Sequence, residues 1–173
     1  MEIDVLGLGP SLAHYRPRPH ITIGVNDIFR HHATDFVVVV DPPGRFTPDR
    51  KQTIIQSTPR AFFTSYTDWH GMVQNIRILQ LAPGRGRLVE LDTPKICFSN
   101  NSTFVATVMA YKMGAKKINL FGVDLTTHPS LGRDRMLVVA VHEFTNLGHA
   151  LAHRGVEIHV APGGALCGIF PPV

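Results

Sequence analysis

The feature that most constrains this chain is an alternation. Short β-branched apolar runs are separated by stretches with helical spacing, from one end of the sequence to the other. Strands are predicted at 3–6, 21–25, 36–40, 61–64, 76–81, 95–98, 117–121 and 156–160, and helices most clearly at 102–113 and 135–154. Several runs, such as Phe36-Val37-Val38-Val39-Val40, are apolar at both parities. A strand that is apolar on both sides is buried on both faces, which is the habit of central strands in parallel sheets. Strand–helix alternation with such strands predicts an α/β fold: a Rossmann-like three-layer domain with a mostly parallel central sheet. No linker or shift in composition divides the 173 residues, so one nucleotide-binding domain spanning 1–173 is expected.

Composition narrows the class further. Hydrophobic residues are 44% of the chain and charged residues 17%, enough apolar material for a core and too few charges for a disordered segment. The apolar runs are too short to span a bilayer. The strand-like Glu2-Ile3-Asp4-Val5-Leu6 follows Met1 with no basic leader or cleavage signal. Two cysteines, Cys97 and Cys167, with no CxxC pair, fit buried reduced thiols. A cytoplasmic protein without membrane contact is therefore expected. The net charge of +4 is carried in short clusters such as Arg16/Arg18, Arg85/Arg87 and Arg133/Arg135. These suit a phosphate-bearing small ligand; with no continuous basic helix stripe, nucleic acid is possible and not favoured.

Open α/β sheets bind ligands at the carboxyl ends of their strands. Five segments fall there: Gly7-Leu8-Gly9-Pro10-Ser11, Asn26-Asp27, Asp41-Pro42-Pro43, Gly122-Val123-Asp124, and the helix start around Ser102 and Thr103. Gly7 and Gly9 would allow a tight turn and close approach of a phosphate, with Pro10 opening a helix. Position 12 is leucine, so the third glycine of a dinucleotide fingerprint is missing and a conventional NAD(P) dehydrogenase is not expected.

Ten histidines in one small domain require individual placement. His142, His149 and His153 share a stripe with Asn146, opposite the apolar Phe144, Leu147 and Leu151, so they are expected on the solvent face. His31 and His32 are likewise expected at the surface. His128 differs: it lies in the Gly/Pro-rich loop 125–135 that leaves the ligand edge, where a neutral imidazole can accept a proton. Arg133 in the same loop is placed to hold a departing phosphate.

The ordered series Gly7-x-Gly9-Pro10-Ser11-Leu12, Gly24-Val25-Asn26, Ser102 opening a helix, and Gly122-Val123-Asp124 resembles the bacterial sialyltransferase-like superfamily. That group includes CMP-sialic-acid-dependent sialyltransferases, motility accessory factor glycosyltransferases and archaeal-type 6-hydroxymethylpterin pyrophosphokinases. Short stand-alone members look like phage-encoded proteins. The resemblance covers roughly residues 3–15, 21–27 and 96–128. It implies that Gly9, Ser11, Asn26, Ser102, Thr103 and Asp124 line a nucleotide pocket, with Gly7, Pro10, Asp27, Asp41, Gly122 and Arg133 beside them. Against that resemblance the chain is expected to lack the acceptor-binding and membrane-associating extension of the sialyltransferases, and neither His128 nor His142 aligns with their general base. The resulting expectation is a metal-independent glycosyltransferase using a nucleotide-activated donor and an acceptor hydroxyl, with His128 and Asp124 as catalytic residues and no cofactor. The alternatives are a Mg²⁺-dependent pyrophosphokinase, with Asp41 and Asp124 at neighbouring strand ends as metal ligands, and a non-catalytic nucleotide-binding module. Exposed strand edges leave a homo-oligomer open.

Overall fold

The computed structural model describes residues 1–126 and 135–173, without the side chains of Arg135 and Met136. The elements in order are β1 (Glu2–Leu6), β2 (Ile21–Val25), β3 (Phe36–Val39), α1 (Pro48–Ile55), β4 (Ala61–Thr64), β5 (Ile76–Ile78), β6 (Leu81–Arg85), β7 (Ile96–Phe98), α2 (Ser102–Lys112), β8 (Lys117–Phe121), α3 (Arg135–Ala152) and β9 (Glu157–Val160), with short 3-10 turns between some of them. Seven strands form one parallel sheet in the order β5-β4-β3-β2-β1-β8-β9. This is the expected Rossmann-like α/β sheet. The strands at 3–6, 21–25, 36–40 and 117–121 lie in one layer, Val5 standing between Ile23 and Leu120.

Side-chain alternation along the strands builds two cores. Ile3, Val5, Ile23, Ile118 and Leu120 point to one face, where α2 and α3 cover them with Phe104, Val108, Phe144, Leu147 and Leu151. Phe104 and Phe144 meet edge to face with centroids 5.7 Å apart, which joins the two helices over the sheet centre. Each such buried side chain contributes about 1.5–3 kcal/mol relative to exposure. Leu6, Val37, Val39 and Phe62 point to the other face, against Ile54 of α1 and the fully buried Trp69. The Trp69 indole donates to the Asp41 carbonyl at 2.9 Å, giving its buried N–H a partner. The histidine stripe on α3 is exposed, as its spacing predicts, whereas His32 is half-buried with its ring edge-on to Tyr15.

Three departures from the sequence reading have local causes. The run 76–81 is not one strand: β5 ends at Ile78, and the chain starts β6, which leaves the large sheet to pair with β7. Pro83 within β6 cannot donate a ladder hydrogen bond, and the register shifts between Leu81 and Arg85. The predicted strand 95–98 therefore belongs to this second, two-stranded sheet. Pro10 opens only a five-residue 3-10 turn, Pro10–His14, and not a full helix. Arg16-Pro17 and Arg18-Pro19 follow it, and a residue before proline is pushed out of helical geometry into extended backbone. Finally α1, Pro48–Ile55, is absent from the sequence reading because it is polar almost throughout and buries only Ile54.

The cysteines also divide. Both are free thiols, but Cys97 on β7 is buried and Cys167 is exposed, which corrects the expectation of two buried thiols. Burial pushes the Cys97 thiol above its ordinary range and withholds the thiolate. Native protein treated with a thiol-reactive chromophore at neutral pH should therefore report one reactive cysteine, rising to two in denaturant. Rapid modification of both in native protein would contradict the burial of Cys97. Among the described residues no helix is long and apolar enough to cross a membrane.

Candidate functional site

The chain runs outward from β1 through β5 and then returns to place β8 on the other side of β1. The switch point of the sheet, where such folds leave room for a ligand, is thus the β1–β8 seam. The loops leaving these two strands are bonded together. Gly7 N–H donates to the Phe121 carbonyl at 2.7 Å and Gly9 N–H to the Gly122 carbonyl at 2.8 Å. Gly122 N–H donates to Ser11 Oγ at 2.9 Å, and Ser11 N–H to Asp124 Oδ2 at 3.0 Å. A Cβ on Gly7 would lie 2.3 Å from the Gly122 carbonyl oxygen, and one on Gly122, whose φ is +67°, would lie 2.4 Å from that of Gly7. These glycines are accounted for by one backbone lying on the other. The sequence reading attributes Gly7, with Gly9, to a tight turn and the close approach of a phosphate.

Asn26 and Ser102 complete the edge from the β2 side. Asn26 follows β2 with φ of +51°, a left-handed conformation that asparagine tolerates better than most residues. Its N–H donates to the Val38 carbonyl, and its Oδ1 receives Ser102 Oγ at 3.4 Å. The helix that Ser102 begins is capped by Asn101, whose Oδ1 accepts the N–H groups of Thr103 and Phe104. Thr103 reaches the seam: its methyl would stand 3.1 Å from a Cβ on Gly7. Gly7, Gly9, Ser11, Asn26, Ser102, Thr103, Gly122 and Asp124 therefore gather at one end of β1, β2 and β8. Leu125, next to Asp124, has φ of +52°, an uncommon setting for a bulky residue, so backbone outliers stand on both flanks of this cluster.

Other sequence candidates are held differently. Pro10 is exposed at the turn. The Asp27 carboxylate is buried and faces away, toward Arg50 of α1 at 2.6 Å and Arg30 at 3.3 Å. Asp41 is half-buried at the end of β3. Since β2 and β1 lie between β3 and β8, Asp41 and Asp124 are not at neighbouring strand ends; three strand spacings, roughly 14 Å, separate their strands. A single Mg²⁺ held by this pair is not supported by that order. His128 and Arg133 lie outside the described residues.

A buried acid that sequence reasoning passed over sits behind the α2 start. Glu143 of α3 is 6% exposed and accepts from Arg85 Nε at 2.6 Å and from Ser99 Oγ at 2.7 Å. Ser99 Oγ in turn accepts the Asn101 N–H at 3.1 Å. α3 and the β6–β7 sheet are thereby tied to the turn that presents Ser102. The signal was available: Glu143 lies between Ala140, Phe144 and Leu147 on the apolar side of its helix, and a carboxylate there requires partners.

No family model and no curated protein matches the sequence. Solved structures do. The fold is similar to that of a bacterial sialyltransferase. CstII from Campylobacter jejuni, solved with the substrate analogue CMP-3FNeuAc, superposes with a TM-score of 0.58 at 12% identity, over 99% of this chain and 84% of that one. A CstII structure with CMP and a trisaccharide acceptor gives 0.59 at 13% identity, over 99% and 86%. The MAf glycosyltransferase from Magnetospirillum magneticum AMB-1 gives 0.67 at 11% identity, over 99% of this chain and 33% of the larger protein. At these identities the likeness establishes the fold.

Proposed function

We propose that the chain binds a nucleotide-activated sugar at the carboxyl edge of β1, β2 and β8 and transfers the sugar to an acceptor hydroxyl. The observation that carries this reading is the contact between left-handed Asn26 and Ser102 at the α2 start, beside the switch point. It joins a strained backbone, two uncharged hydrogen-bonding side chains and a helix N-terminus at the one edge where this sheet type takes ligands. The fold supports it, since CstII of similar architecture was solved with CMP and with a CMP-sugar analogue.

In this reading Asn101 already occupies the Thr103 and Phe104 amides and the Ser102 hydroxyl is given to Asn26, so the Ser102 amide is the group of the first turn offered to the donor's phosphate. Asn26 contributes its side-chain amide to the nucleotide. Ser11 and Asp124 hold the two central loops in register, and Asp124, 5% exposed with Oδ2 on the Ser11 N–H, keeps this edge electronegative. An acidic group there needs cationic help when phosphate leaves, the role assigned to Arg133; His128 takes the acceptor proton. Bond cleavage at the anomeric carbon is driven by departure of the phosphate and stabilised by these donors, without a metal.

Thermal-shift titrations with CMP, UDP, GDP, ADP and ATP, each with and without Mg²⁺, test the reading. A ligand at about a hundred times its Kd adds about 2.7 kcal/mol, a rise of roughly 5–10 °C for a chain of this size. The expected result is stabilisation by a cytidine nucleotide irrespective of Mg²⁺. Asn26→Gly, which preserves the backbone conformation, and Ser102→Ala should each weaken that ligand by about tenfold, as loss of one hydrogen-bonding group does. No response to any nucleotide, or full affinity in both variants, would remove the proposal.

A further inference from the structure

Glu143 of α3 is a buried charge that the transfer chemistry does not use. It is enclosed by Arg85 at the end of β6, by Ser99 after β7, and by the backbone of Gly86, where a Cβ would lie 3.2 Å from Glu143 Oε1. Gly86 has φ of +67° and donates its N–H to the Phe98 carbonyl at 2.8 Å, so the turn after β6 is fixed against the carboxylate. Arg85 spans that carboxylate, with Nε 2.6 Å from Oε1 and Nη2 3.4 Å from Oε2. The guanidinium offsets the negative charge, so the acid behind the α2 start does not repel an anion in front of it.

The second carboxylate oxygen bears on the donor site. Ser99, Asn100, Asn101 and Ser102 are all residue types that cap helices, and serine and asparagine do so about equally well. Local preference therefore does not choose among them. The choice matters, because the capping side chain turns over the first turn to accept its amides. Capped by Ser102, the helix would take that hydroxyl for the Phe104 or Val105 amide and withdraw it from Asn26. Instead Asn101 caps, accepting from Thr103 N–H at 2.9 Å and Phe104 N–H at 3.2 Å, and Ser102 Oγ donates to Asn26 Oδ1 at 3.4 Å.

The hydrogen bonds that hold this register begin at Glu143. Ser99 is fully buried, and its hydroxyl donates to Glu143 Oε2 at 2.7 Å, which leaves its lone pairs to accept the Asn101 N–H at 3.1 Å. Held in this way Ser99 does not cap, and Asn101 is drawn into the capping position. A hydrogen bond to an ionised acceptor is of the stronger kind, sufficient to decide between caps of near-equal quality. We infer that Glu143 is a positioning residue of the proposed donor site: through Ser99 it selects Asn101 as the cap of α2 and so presents Ser102 to Asn26 and to the donor's phosphate. Its consequence for binding rests on the nucleotide reading, whereas its choice of cap is a property of the free protein.

Two measurements on Glu143→Ala, Ser99→Ala and the double variant test this. Amide hydrogen exchange, followed by NMR without nucleotide, should quicken about tenfold at Asn101, Thr103 and Phe104 in each, relative to Val5 and Leu120 in the central strands. Affinity for CMP should fall about tenfold in each single variant and no further in the double, because the two residues act in series. A carboxylate that merely braced Arg85 and the β6–β7 sheet would add its loss to that of Ser99. Glu143→Gln keeps an oxygen for the Ser99 hydroxyl and should bind close to wild type. If circular dichroism shows that Glu143→Ala does not fold, Glu143→Leu, with an apolar side chain of similar size, takes its place. Unchanged relative exchange at the three amides, losses that add in the double variant, or wild-type affinity in both single variants overturns the inference and leaves the nucleotide reading standing. Wild-type protein that binds no nucleotide overturns that reading instead, and exchange alone then decides whether Glu143 sets the cap.

Discussion

Gly7→Ala should cost the protein roughly 3 kcal/mol or more, lowering its Tm by about 10 °C, with no requirement for a ligand. The added Cβ would lie 2.3 Å from the Gly122 carbonyl oxygen and 2.9 Å from the carbonyl carbon. Those are backbone atoms of the loop leaving β8, so no side chain can rotate aside. β1 and β8 are central, and their loops are bonded at Gly7, Gly9, Ser11 and Gly122, so relief requires breaking that seam. The phosphate-cradle reading of the same glycine expects something different: Gly7→Ala would fold normally and lose nucleotide alone. A chemical-denaturation curve in buffer without nucleotide separates the two. A wild-type midpoint would show that the seam gives way at little cost. Pro10→Ala, at an exposed position on the same turn, is the comparison and should shift the midpoint little.

The contrast shows what kind of information the sequence carries. Strand positions were legible because central parallel strands must be apolar on both faces, and Phe36 to Val40 can be little else. Helix α2 was legible from the helical spacing that begins at Ser102. The order of strands was not. Whether Asp41 and Asp124 are neighbours depends on β8 lying beside β1, and this is decided by packing of α2 and α3 over the sheet, which no local pattern encodes. The same limit governs the edge residues. That Asn26 and Ser102 both lie at strand or helix ends is local; that they touch is tertiary. Asp27, adjacent to Asn26 in sequence, turns to Arg50 because α1 is on that side, and α1 itself was hidden by its polar composition. Glu143 was legible in principle, as a lone acid on an apolar helix face, though its partners Arg85 and Ser99 come from elements 58 and 44 positions away.

The proton acceptor is the remaining chemical assignment, and its test has the largest expected effect on turnover. A sugar leaving with its donor phosphate departing needs an acceptor oxygen that sheds a proton as the new bond forms. An imidazole is the side chain whose ordinary pKa suits that task near neutrality. His128 follows Asp124 by four positions and so enters the chain just beyond the proposed donor edge, although it lies outside the described residues. The α3 histidines are on the exposed face of their helix, and His142 is engaged with Asn146 at 3.0 Å. His128→Ala should therefore lower kcat by roughly a hundredfold or more while leaving donor affinity near wild type, the pattern of a group that acts in the transition state. Arg133→Ala should instead weaken donor binding, as loss of a phosphate contact does. His142→Ala should be silent in both measurements. If His142→Ala abolishes transfer while His128→Ala is active, the base belongs to α3, and the loop after Asp124 loses its assigned chemical role while the nucleotide edge at Asn26 and Ser102 stands or falls on its own binding test.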